Sequence, residues 1–106
     1  MSSFVPPPSS AASDAIYRFP EPATMQHAAK MAIEQDKPIM MDYWMGSIDK
    51  SVSIGFRGTD KILVRNEQEY TSPIASINRV GDKDFVIVTE NSIYIADAKI
   101  PLKKLA

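Results

Sequence analysis

The stretch Phe85-Val86-Ile87-Val88-Thr89-Glu90-Asn91-Ser92-Ile93-Tyr94-Ile95-Ala96 decides the fold. Two runs of β-branched and aromatic residues meet across Glu90-Asn91, which predicts an antiparallel hairpin with strands at 85–89 and 92–96. Phe85 to Val88 is apolar at every position, so this strand is expected to be central and covered on both faces.

Upstream, Gly81-Asp82-Lys83-Asp84 reads as the turn into that hairpin. A strand is expected over 70–79, but Ile74 and Ile77 are three apart and cannot face one core in an unbroken strand. With Pro73 beside them, a bend is predicted between Pro73 and Ile77. Further strands are predicted at 61–65, 51–56 and 39–45, joined through Arg57-Gly58-Thr59-Asp60 and Gly46-Ser47-Ile48-Asp49-Lys50. In the 39–45 segment, alternation puts Ile39, Met41, Tyr43 and Met45 on one face and Trp44 on the other. Downstream, 99–105 is expected to form a C-terminal edge segment.

Residues 24–36 predict a helix, with Thr24 as its N-cap and Pro38 ending it. Met25, Ala28, Ala29, Ala32 and Ile33, with Met31 beside them, form a modest apolar stripe at helical spacing. Residues 1–22 carry Pro6, Pro7 and Pro8 among small polar residues and read as a flexible arm, leaving 23–106 as one small domain. Five to six strands joined by short turns lead to a mainly β fold: a small antiparallel β-barrel or rolled sheet with one N-terminal helix. Closure would hide strand edges that otherwise template aggregation. Short connections disfavour parallel crossovers.

Composition narrows function by exclusion. Twelve basic and thirteen acidic residues give a formal charge of -1, and 38–106 holds nine of each, so no broad field is available to attract a polyanion. The chain has no cysteine, which removes disulfides, thiolate metal sites and thiol nucleophiles and is compatible with a cytoplasmic or other intracellular setting. Its apolar runs are far shorter than a membrane span requires, and no secretory leader is read at Met1. His27 is the sole histidine and has no ligand partners at a metal-binding spacing. Glu67/Glu69 and Asp82/Asp84 are surface-type carboxylate pairs, with nothing in the sequence to desolvate either member. No cofactor, metal or catalytic set is therefore expected.

The expected function is noncatalytic: a protein-association module or structural subunit, self-associating through its arm or a sheet surface. Phe4, Val5, Tyr17, Phe19, Trp44, Tyr70 and Pro73 are the candidate contact residues. The alternative is single-stranded nucleic-acid binding by a small barrel, with Trp44 and Tyr94 beside Arg57, Lys61, Arg65 and Arg79. Mass measurements on the full chain and on one beginning at Ala23 would separate the two.

Overall fold

A computed structural model of the protein describes residues 18–104, so Phe4, Val5, Tyr17 and the last residue of the expected edge segment lie outside the described residues. The elements run α1 (Pro22–Gln35), β1 (Ile39–Met40), α2 (Trp44–Asp49), β2 (Ser53–Arg57), β3 (Asp60–Val64), β4 (Ile74–Val80), β5 (Asp84–Thr89), β6 (Ile93–Asp97) and β7 (Leu102–Lys104). The fold is mostly β. Its strands form two sheets, one ordered β1-β6-β5-β4 and the other β3-β2-β7, with no closed barrel among the described residues.

The layering follows from side-chain parity. In β5, Val86 and Val88 point to one face and Ile87 to the other; their β6 partners in register are Ile95, Ile93 and Tyr94. Val86, Val88, Ile93 and Ile95 pack with Ala28, Met25, Met31 and Ala32 of α1 and with Trp44 and Ile48 of α2, whereas Ile33 and Ala29, expected in the same stripe, lie on the exposed side of α1, Ile33 at 82%. Ile87 and Ala96 pack on the opposite side with Val52, Ile54 and Leu63, joined by Tyr43 and Ile100. Helices, four strands and three strands thus make three layers, and β5 is covered on both faces, as its apolar run implies. The bend expected after Pro73 is a register irregularity between Ile74 and Ser76 in the β4–β5 ladder.

Three expectations are corrected. First, the helix begins at Pro22 and not after Thr24, because proline is well placed in a first turn, where its missing N–H is not needed. Second, 39–45 is not one strand: β1 stops at Met40, and Trp44, Ser47 and Ile48, at helical spacing, turn inward from α2. Gly46 makes that packing possible, since a Cβ there would lie 2.3 Å from Val52 Cγ2. Third, pairing is not wholly antiparallel. β1 runs parallel to β6 and β2 parallel to β7. These partners are distant in sequence, so the chain between them supplies the crossover that a short turn cannot.

The remaining strands shift by smaller amounts. The 51–56, 61–65, 85–89 and 92–96 segments appear at 53–57, 60–64, 84–89 and 93–97. The 70–79 strand starts only at Ile74, with Tyr70 making an isolated bridge to Val64, and of the described residues in 99–105 the strand begins at Leu102.

Candidate functional site

The densest polar constellation lies where the chain enters α1. Asp84 and Asp97 sit one residue outside the apolar runs of β5 and β6 and stand opposite each other in register, on the helix-facing side of the sheet. Arg18 Nη2 donates to Asp84 Oδ1, to Asp97 Oδ2 at 3.0 Å and to the Lys83 carbonyl at 2.9 Å. The other oxygen of Asp84 accepts from the Glu21 N–H at 2.8 Å and the Thr24 hydroxyl at 2.6 Å. Asp84 and Thr24 are fully buried.

Burial alone would raise the Asp84 pKa, but the hydrogen bonds from Arg18, Thr24 and Glu21, with the Arg18 charge, outweigh it and hold the carboxyl below its usual range. Thr24 is therefore not the N-cap. That position belongs to Glu21, whose own N–H is satisfied by Asp84 from across the fold. The Arg18 guanidinium also lies 5.0 Å from the Trp44 ring centroid, and the indole N–H donates to the Arg18 carbonyl at 2.8 Å. Ser47 completes the cluster, accepting from the Asp97 N–H at 2.9 Å and donating to the Trp44 carbonyl at 2.6 Å. This is a clasp: it fixes the entry of α1 to the ends of β5 and β6. A groove of about 200 Å³ beside it is lined by Glu21, Thr24, Val80 and Lys83 among others.

A second group of cations lies over aromatic rings. Arg57 stacks on Tyr70 at 4.9 Å and bonds its hydroxyl; Arg65 covers Tyr43 at 5.2 Å; Lys61 lies 6.0 Å from Phe56; Arg79 lies 5.8 Å from Phe85. Arg65 also pairs with Glu69 at 3.3 Å and donates to the Asp42 carbonyl, and Arg79 donates to the carbonyls of Gly81 and Asp82. Among the described residues Arg57 and Lys61 form no ion pair.

The predicted residues separate accordingly. Trp44 is only 5% exposed and lies beneath Arg18 and α1, so its ring offers no open face to a base. Tyr94 is half-buried edge-on to Tyr43 at 5.2 Å. Arg57 and Lys61 meet at the β2–β3 turn, whereas Arg65 lies past the far end of β3 and Arg79 is on β4. Phe19 and Tyr70 are exposed, at 69% and 43%, and Pro73 is half-buried. Met40, Met41 and Met45 are individually 36 to 49% exposed.

Of the clasp residues the sequence reading took Thr24 as the helix N-cap and Asp84 as half of a surface-type pair with Asp82; Asp84 is instead fully buried because β5 carries it under α1, and Arg18, Ser47 and Asp97 were not singled out. A signal for two of them was present: Asp84 and Asp97 flank the hairpin symmetrically, so its pairing brings the two carboxylates together and demands a cation. Among the described residues no cluster of three His, Asp or Glu side chains is arranged to hold a metal, and no helix is long and apolar enough to cross a membrane. In comparisons with family models, curated proteins and solved structures, nothing matches this chain.

Proposed function

We propose that this chain is a noncatalytic association module that joins a second copy of itself through its N-terminal arm. The observation carrying this reading is the Arg18 clasp. It anchors the base of the arm to the body against Trp44, the first residue of α2. Met45, next to that residue, and Met41, three residues before it, are exposed, and methionine is a flexible, polarisable side chain suited to adaptable apolar contacts. An arm held at its root and carrying Phe4, Val5 and Tyr17 has these exposed methionines of the same fold close to its point of departure. Its attachment limits the entropy lost when the arm docks.

Trimming to Ala23 would remove Arg18 and so damage the clasp along with the arm. The better comparison is light scattering of the full chain, a chain beginning at Ile16 and the full chain with Met41→Ser and Met45→Ser. The full chain is expected to assemble and both alterations to return it towards a single copy. A full chain that has the mass of one copy at tens of micromolar would refute self-association.

A further inference from the structure

We infer that the β2–β3 end of the three-stranded sheet binds single-stranded nucleic acid, with Phe56 and Tyr70 as stacking rings and Arg57 and Lys61 as phosphate partners. This site is independent of the arm clasp, which lies on the helix side of the other sheet. The register makes the case. Phe56 stands between Lys61 of β3 and Lys104 of β7 in one cross-strand row, and Lys103 lies one step along, opposite Gly55. The side chains of Arg57 and Lys61 therefore stand beside Phe56 at one sheet end. The turn itself contributes a single carboxylate, Asp60, which pairs with neither Arg57 nor Lys61.

Two of these cations already lie over rings, Lys61 over Phe56 and Arg57 over Tyr70, on opposite faces of the sheet end and flanking the same turn. A single strand crossing that end meets a π-surface and a positive charge at each face. That pairing suits bases joined by phosphates, whereas an acidic peptide would use only the charge. The chain's overall charge of -1 does not oppose such a site, because the contacts act within about 10 Å at ordinary salt.

The test is fluorescence anisotropy of a labelled oligothymidylate of about 12 nucleotides, long enough for a small single-strand site. Binding is expected near 50 mM salt, weakening as salt rises with a log–log slope of about -0.7 per phosphate contact. Lys61→Met should flatten that slope by about 0.7. Phe56→Leu should weaken binding about tenfold through loss of the ring. Lys30→Met on exposed α1 should change neither. The inference is overturned by absent binding at low salt, by a slope indifferent to Lys61→Met, or by polyglutamate binding as tightly with the same response to both variants. Lys61 is exposed, so its variant keeps the test valid even if Phe56→Leu lowers stability.

Discussion

Asp84 and Asp97 face each other across the β5–β6 ladder, and one guanidinium nitrogen of Arg18 bridges them. Two carboxylates set side by side would repel; the shared cation turns the pair into an attachment point. The energetic weight falls on Asp84, which is fully buried and satisfied only while Arg18, Glu21 and Thr24 stay in place.

Acid should loosen this attachment. Folding holds the Asp84 carboxyl below its ordinary value of 3.8, so its stabilisation is complete above that value and is lost as pH falls through the lower folded value. Urea unfolding at pH 6 and at successive steps below pH 4 should show stability declining in the acid range. Asp84→Asn should be less stable at pH 6 and lose less on acidification. Equal acid sensitivity in the two proteins would contradict this assignment.

Thr24→Val removes one donor to Asp84 at nearly constant volume. The expected loss is about 1.5–3 kcal/mol, the range for hydrogen bonds to a charged group. Denaturant midpoints measure it, and a change within error would show that the hydroxyl bond carries no weight.

Gly46→Ala places a methyl group where the nearest atom, Val52 Cγ2, is 2.3 Å away. The helix backbone or Val52 must shift, at a cost of about 1–3 kcal/mol even though alanine is the better helix former. Gly46→Ala with Val52→Ala should recover part of the overpacking term, which a double-mutant cycle reads directly.

Asp36 ends α1 with φ 54 and ψ 51, the left-handed conformation that side chains resist. Asp36→Gly relieves that cost and should raise stability by up to about 1 kcal/mol. A fall in thermal midpoint would argue that the aspartate side chain contributes more than its backbone costs.

Trp44 is the sole tryptophan, so its emission reports on the clasp without labelling. Arg18→Ala removes the cation over the ring and uncovers the indole, and the emission maximum should move to longer wavelength while the far-ultraviolet dichroism stays folded. An unchanged spectrum would mean that Arg18 does not shield the ring.

Local pattern carried the β-rich core. The two-faced run Phe85–Val88 marked the buried strand, and the parity fault between Ile74 and Ile77 marked the irregularity in β4. What local pattern missed depends on distance along the chain. Asp84 reads as ordinary turn chemistry beside Asp82 until Arg18, far upstream, is placed against it. Trp44 and Met45 alternate plausibly as strand residues until Gly46 is seen pressed against Val52. Arg57 and Lys61 were visible as cations, but Phe56 was not set beside them, because the register of β2 against β3 and β7 could not be read from sequence.

The two parallel pairings also govern how the protein is made. Ile39 waits for Ile93, and Ile54 for Leu102, so neither sheet can be completed until residues 93–104 have left the ribosome. Such long loops must close before their contacts repay the entropy, which places this small chain among slow folders for its size. Until then the hydrophobic side of the nascent β2–β3 ribbon stays uncovered, and the interval between synthesis and closure is when the chain is most exposed to aggregation.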